Sequence, residues 1–406
     1  MRILLVSQYF WPEHFRINDL AEGLVKRGHE ITVLTGCPNY PGGRIFKGYG
    51  FFNQAEVWCG VKILRVPLIP RGSGSSLRLA MNYVSFMVSA TLLGPPLCRG
   101  SFDVVLVCQL SPVTVGIPAA LLKRLKGIPM VFWVLDLWPE SLAAAGGLRS
   151  KWIYNGVDGL VKFIYRHCDR ILCSSKGFFS SIQSRGVETS RISHFPNWVE
   201  PIEGSAMSLP VKLPAGFRVL FAGNVGMSQD FETVLAAANL LRDVSTIQWI
   251  ILGGGRQLAW VQAQVKARGL THCFHLLGSY PPETMPAFFH EADALLVTLR
   301  RDPAFAHTVP GKVTSYMSCG RPILAALDGE GSALIQEAKA GFSVPSGDFH
   351  GLAKIVMQMS QLPAEERIRM GRSAKEYCDA HFNRDRLFTE LEAILASLIK
   401  SQVTSR

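Results

Sequence analysis

Short apolar runs recur along this chain with room for one helix between them. Arg2–Val6, Glu30–Leu34, Val61–Val66, Val104–Val107, Met130–Leu135 and Arg170–Cys173 read as strands. Several are continuous rather than alternating, as in strands buried on both faces. Helix-length segments lie between them, among them Ile17–Arg27, Thr114–Lys126 and Trp152–His167. This alternation predicts an α/β chain with a parallel sheet covered on both faces. The pattern breaks at Phe195-Pro196-Asn197-Trp198, and Pro201, Gly204, Pro210, Pro214 and Gly216 follow. Proline and glycine at that density predict a linker over 199–216. Strands then resume at Arg218–Ala222, Gln248–Leu252, Cys273–Leu277, Ala294–Thr298 and Pro322–Ala325. The expectation is two doubly wound Rossmann-like domains, 1–198 and 217–383, facing across a cleft with room for two substrates. In a last segment, 384–406, Leu387, Leu391, Ile394, Leu395 and Leu398 recur at helical spacing. That predicts a packing helix lying back on the first domain.

Composition narrows the function classes. Hydrophobic residues make up 48% and charged residues 18%, too apolar for disorder. The nine cysteines are scattered, and no histidine–cysteine cluster has metal-ligand spacing. Met1–Val6 is too short for a signal peptide, so a cytoplasmic location is expected. The net charge of +11 is unevenly spread. Residues 1–200 hold 22 Lys/Arg against 12 Asp/Glu, while residues 201–406 hold 20 against 19. A one-sided basic surface suits anionic lipid or a phosphorylated substrate. Nucleic acid is not expected as a partner, because no recognition motif accompanies the charge.

Residues 77–93 could touch a membrane. Arg78, Asn82, Ser85 and Ser89 form one narrow polar stripe, and most of the rest is apolar. Gly94-Pro95-Pro96 follows, so the segment reads as too polar and too soon broken to span a bilayer. An interfacial helix inserting Leu79, Phe86 and Leu93 and a buried core helix both fit the pattern.

A dehydrogenase is disfavoured: the turn Ser7-Gln8-Tyr9-Phe10-Trp11-Pro12 after the first strand has no glycine. In the second half, Gly223-Asn224-Val225-Gly226 and Gly253-Gly254-Gly255-Arg256 each end a strand. Small residues there let backbone N–H groups approach a phosphate. In Pro310-Gly311-Lys312-Val313-Thr314-Ser315-Tyr316-Met317-Ser318-Cys319-Gly320-Arg321-Pro322-Ile323, a lysine falls in the first turn of an expected helix. That end is already positive, and a bound anion would remove the penalty.

The 310–323 segment resembles the P-x-K-x-x-x-Y-M-x-x-G-x-P-I signature of family-4 retaining glycosyltransferases. Gly28-His29-Glu30-Ile31-Thr32-Val33-Leu34-Thr35 and Pro196-Asn197 resemble two further family segments. Tyr9-Phe10-Trp11-Pro12-Glu13 and Asp136-Leu137-Trp138-Pro139-Glu140-Ser141 resemble a branch found in O-antigen, capsule and colanic-acid clusters. That branch includes L-fucosamine-transferase-like members. The resemblance implies the two-domain GT-B architecture, with a nucleotide-sugar donor (UDP foremost) held by the second domain. It implies donor contacts from Gly223, Asn224, Gly255, Tyr280, Gly311, Ser315 and Glu330, and catalytic roles for Lys312, Arg256 and Asp136. Glu13, Arg16 and Glu140 are the acceptor-side candidates, and His29 reads as structural.

The departures from the family pattern matter. Ser315 stands where many members carry the second Glu of E-x7-E, and His307 stands where they carry the first. A hydroxyl cannot supply a carboxylate's charge-assisted bonds. Asn224 and Gln229 occupy places that often hold a cationic pair, leaving Lys312 and Arg256 to neutralise a diphosphate. No D-x-D occurs, and the family resemblance implies no metal and no other cofactor. The expected activity is a retaining hexosyl transfer to a polyprenyl-diphosphate-linked saccharide, with the protein peripheral on the inner face of the cytoplasmic membrane. A GT-B-like nucleotide-sugar epimerase and a catalytically silent partner subunit are the alternatives.

Overall fold

A computed structural model describes residues 1–50, 56–72, 75–144, 150–199 and 209–404. Residues 200–208 of the expected linker lie outside these. The chain divides into two compact units: Met1–Pro196 with Asp385–Arg406, and Asn197–Arg384.

The first unit is built on β1 (Arg2–Val6), β2 (Glu30–Gly36), β3 (Glu56–Trp58), β4 (Val61–Val66), β5 (Val104–Gln109), β6 (Met130–Val134), β7 (Arg170–Cys173) and β8 (Ile192–His194). They form one sheet in the order β3-β4-β2-β1-β5-β6-β7-β8. All neighbours are parallel except β3 and β4. The helices are α1 (Arg16–Lys26), α2 (Ser76–Leu97), α3 (Gly116–Lys126), α4 (Glu140–Ala144), α5 (Lys151–His167) and α6 (Phe179–Gln183). Every residue of β5 and β6 is buried, as their unbroken apolar runs require. Each such Val or Leu contributes about 1.5–3 kcal/mol relative to exposure.

Strand order decides which helix covers which face. From β1 the chain steps to β2 toward one edge; the steps β4 to β5 to β6 to β7 run toward the other. Right-handed crossovers then place α1 on one face and α2, α3 and α5 on the opposite one. Phe86 of α2, Ala119 of α3 and Ile164 of α5 accordingly share a single core with Val105, Val107 and Phe132.

The second unit has a six-stranded, all-parallel sheet in the order β11-β10-β9-β12-β13-β14. Its strands are β9 (Phe217–Ala222), β10 (Ile247–Leu252), β11 (Phe274–Gly278), β12 (Ala294–Thr298), β13 (Ile323–Ala326) and β14 (Gly341–Val344). Its helices are α7 (Phe231–Leu240), α8 (Leu258–Ala267), α9 (Met285–Glu291), α10 (Pro303–Ala306), α11 (Gly311–Ser318), α12 (Glu330–Glu337), α13 (Phe349–Gln361) and α14 (Ala364–His381). Separate apolar clusters fill the two faces of the sheet. The two ends of this unit meet: the Val199 amide donates to the Phe382 carbonyl at 3.0 Å.

Helix α15 (Arg384–Thr404) belongs to the first unit. It buries Leu387, Phe388, Leu391 and Leu395. Arg27, at the end of α1, grips Glu392 through Nε at 3.0 Å and Nη2 at 2.9 Å. His29 completes the junction at 2.7 Å from Glu392, so it is structural.

Two expectations about residues 77–93 need correction. The helix does not stop before Gly94-Pro95-Pro96 but runs through them to Leu97. Among the described residues it is the one helix long and apolar enough to cross a membrane, by length and composition alone. Its Phe86 is fully buried and Leu79 packs against the core, so neither is available for insertion; only Leu93 of the three is exposed. The proline pair falls in the last turn, and the helix closes just beyond it, where the Cys98 amide donates to the Gly94 carbonyl at 2.8 Å.

Candidate active site

Three loops meet at the carboxyl ends of β9, β10 and β11, and main-chain bonds join them. The amide of Gly223 donates to Leu252 at 2.9 Å, that of Val225 to Gly254 at 2.7 Å, and that of Gly253 to Gly278 at 2.7 Å. Such close approach demands glycine. At Gly253 (φ +129°) a Cβ would lie 1.9 Å from the Gly223 carbonyl oxygen. At Gly255 (φ +155°) it would lie 2.3 Å from that of Val225. Asn224 and Arg256 are exposed on this glycine platform. Tyr280, on the loop after β11, packs its ring 4.8 Å from that of Phe288.

Lys312 reaches the platform from the first turn of α11. The helix is fixed by Tyr316, whose hydroxyl accepts from the Ala222 amide at 2.9 Å and donates to its carbonyl at 3.2 Å. Tyr316 therefore ties α11 to the end of β9 and sets Lys312 one turn back, beside Gly223. A Cβ on Gly223 would come within 2.7 Å of the lysine Cε. The ammonium lies 3.7 Å from the Phe221 ring centroid and donates to Gln229 Oε1. No carboxylate among the described residues pairs with it, and burial holds its pKa down to about 7. A half-buried cation next to exposed backbone at a helix start is suited to an anion. Gly311 opens the same helix. Ser315 follows Lys312 by three residues, and its carbonyl accepts from Ser318 Oγ at 2.7 Å. Glu330 opens α12 after Gly329 (φ +70°), where a Cβ would meet the Ala306 carbonyl at 2.0 Å.

The first unit gathers a different set at the carboxyl ends of β1, β5 and β6. Burial raises the pKa of Asp136 against the hydrogen bond from Trp138. Trp138 Nε1 donates to its Oδ2 at 2.9 Å, and Gln109 Nε2 donates to its carbonyl at 2.7 Å. Buried side-chain oxygens of Ser7, Gln8, Gln109 and Thr114 have no protein partner. Unpaired buried polar atoms at strand ends suit a hydroxyl-rich ligand.

Two of the acceptor-side candidates, Glu13 and Glu140, are held by protein groups. Glu13 is 2% exposed, and its Oε1 accepts from the amides of Asn39 and Tyr40, both at 2.7 Å. Burial raises its pKa to about 7. It pins the loop after β2 rather than lining an open surface. Glu140 Oε1 takes Arg185 at 3.0 Å and Ser181 at 2.7 Å, while Arg185 also binds Asp158 at 2.8 Å. Glu140 is thus part of a half-buried ion network centred on Arg185, not a plain loop carboxylate. Arg16 opens α1.

Sequence reasoning did not single out Tyr316 as an anchor, or Gln8, Asn82 and Gln109. Tyr316 stands in the 310–323 signature and could have been read from it. The Gln8–Asn82 bond of 2.7 Å joins residues 74 apart, with no local signal.

Fold and site define a two-domain GT-B transferase. Residues 14–198 match the model of the glycosyl transferase 4-like domain, and residues 216–361 that of glycosyl transferases group 1. The chain belongs to the family-4 GT-B glycosyltransferases, in the branch of surface-polysaccharide enzymes. It is 26% identical over 339 residues to the Escherichia coli protein named as a colanic acid biosynthesis glycosyl transferase, WcaI, covering 79% of this chain and 82% of that one. It is 26% identical over 298 residues to the glycosyltransferase WbjE of Pseudomonas aeruginosa, covering 70% and 72%. Among solved structures, Anabaena HepE in complex with UDP superposes with a TM-score of 0.67 at 14% identity, covering 98% of this chain and all of that one.

Proposed function

We propose that the protein moves a hexosyl group from a nucleotide-sugar donor to a polyprenyl-diphosphate-linked saccharide in the assembly of a bacterial surface polysaccharide. UDP is the leaving group, the anomeric configuration is retained, and no metal takes part. Lys312 carries this reading. A desolvated cation without a counter-ion, set against a glycine platform at strand ends, is a preorganised partner for a diphosphate. Arg256, exposed on the same platform, supplies a second charge, and Ser315 serves the donor ribose. HepE, whose structure holds UDP, supports the choice of base, and WcaI, named for colanic acid biosynthesis, supports the product class.

In the transfer, the bond from the anomeric carbon to the diphosphate oxygen breaks. A bond to the acceptor oxygen forms on the same face, and the acceptor's proton passes to the departing phosphate oxygen. Asp136 orients the acceptor hydroxyl. Lys312 stabilises the charge that develops on the diphosphate, so no protein nucleophile is required.

The test incubates the full chain with radiolabelled UDP-sugars and membranes carrying lipid-linked saccharide, on the inner-face topology this reading expects. Label should enter the lipid phase. Release of an epimerised nucleotide sugar would make the protein an epimerase, and binding without turnover would make it a silent subunit.

A further inference from the structure

One face of the first unit gathers side chains that a water-facing surface ordinarily avoids. Helix α2 turns Asn82 inward, while Arg78 in its first turn stays exposed. Asn82 is fully buried, accepting from Gln8 at 2.7 Å and donating to the Ile69 carbonyl at 2.6 Å. Tyr83, Phe86 and Ala90 pack in the core beside it. Past that first turn the exposed side chains are apolar, as is Leu77 within it: Leu77 is 73% exposed, Val84 50%, Val88 45% and Leu92 69%. Spacings of seven, four and four residues align them in one stripe. The helices on the same face extend it, with Leu125 of α3 and Trp152, Ile153 and Phe163 of α5 exposed, Trp152 by 88%.

Charge is an independent observation. Helices α2, α3 and α5 carry seven lysines and arginines and one acidic residue, Asp158. Asp158 is already bonded to Arg185 and Lys162. The opposite face differs on both counts. Helices α1 and α15 balance five basic against five acidic residues. Among the described residues they expose no large apolar side chain.

We propose that the α2–α3–α5 face is the docking surface for an anionic lipid bilayer. Helix α2 lies along the interface with its bare stripe among the acyl chains. Trp152 sits at the headgroup level, and Arg78, Arg124, Lys126, Lys151, Lys162 and Arg166 meet lipid phosphates. Apolar insertion with basic flanks is how an interfacial helix binds. A second copy of this chain would cover the apolar stripe but would set like charges against like; anionic lipid satisfies both. The proposal deepens the transfer reading by naming the surface that meets the acceptor's membrane.

The test is co-sedimentation of the full chain with phosphatidylcholine vesicles and with vesicles also containing phosphatidylglycerol. Binding should favour the anionic vesicles and be partly released by salt, which screens the charges but not the apolar insertion. The triple variant Leu77→Ser, Val84→Ser, Leu92→Ser should lose about tenfold in vesicle affinity with an unchanged thermal melt, because all three side chains are already exposed. Trp152→Ser should weaken binding in the same way. Wild-type affinity in the triple variant overturns the proposal. So does a dimer in light scattering that the variant converts to monomer, which would give the face to a second copy. No turnover is measured, so failure here leaves the transfer reading intact, and failure of transfer leaves this one intact.

Discussion

The two candidate sites share an address, the carboxyl ends of a parallel sheet, but differ in what builds them. In the second unit the surface is mostly main chain: glycines at 223, 253 and 255, loops bonded amide to carbonyl, and one buried cation. In the first unit it is side chains: Gln8, Gln109 and Asp136, with Glu13 and Glu140 spent on holding loops and helices. A main-chain platform suits a group common to many ligands, such as the diphosphate of nucleoside-diphosphate sugars. A side-chain lining can change residue by residue, and suits the partner that differs from enzyme to enzyme.

The sharpest way to break this contrast is to remove the half-buried charge beside the glycine platform. Lys312→Ala should lower turnover about 10²-fold or more, as loss of a transition-state charge partner does, with the fold intact by circular dichroism. The pH dependence sharpens it. With its pKa held near 7, the lysine is neutral above that pH, and binding a diphosphate must take up a proton. Donor affinity measured by calorimetry should then fall as pH rises above 7, by up to about tenfold per unit. Lys312→Arg should flatten that slope, since a guanidinium stays charged. A flat profile in the wild type would remove the lysine from the phosphate site.

Next in size is a change to the platform itself. Gly253→Ala sets a Cβ against the Gly223 carbonyl at a φ of +129°. The strain, about 1–3 kcal/mol, forces two loops apart. Donor affinity should drop about tenfold, and the melting temperature should fall. Unchanged donor binding would mean that the loops do not form the platform.

The smallest effect on donor binding is expected from the side-chain-built unit, where the change falls on stability instead. The folded pKa of Glu13 lies near 7, above its ordinary 4.5. The folded state therefore holds a proton that the unfolded chain has lost between those values. Stability should fall as pH rises from about 4.5 to about 7, by on the order of 2–3 kcal/mol from this group. Glu13→Gln keeps an oxygen for the Asn39 and Tyr40 amides and should remove that slope in denaturant titrations while leaving donor affinity alone. A slope that survives the substitution would assign it to other groups.

What could be read from the sequence follows from the range of the interactions. The continuous runs of β5 and β6 declare burial on both faces, and β1, β4 and β12 match their expected bounds. Strands β3, β8 and β14 were missed: they span three or four residues, and all three are sheet edges that need little apolar sequence. The lysine in the 310–323 segment was legible because a cation at a helix start is locally anomalous. The roles of Glu13 and Glu140 were not, because Asn39, Tyr40 and Arg185 are brought to them only by folding. The polar stripe of α2 was legible but the direction it faces was not; Gln8, from the loop after β1 and 74 residues away, is what draws Asn82 in.

The return of α15 to the first unit has a consequence for how the molecule is made. The second unit is an insertion, entered after Pro196 and left before Asp385, with its two ends stapled by the Val199–Phe382 bond. On a ribosome the first unit must wait, with the α1 face uncovered, while the whole inserted unit is synthesised. Only then does Glu392 emerge to meet Arg27 and His29. The same wiring makes the inserted unit a cassette. With both ends at one place, it could be exchanged for that of a relative while the first unit keeps its own fold.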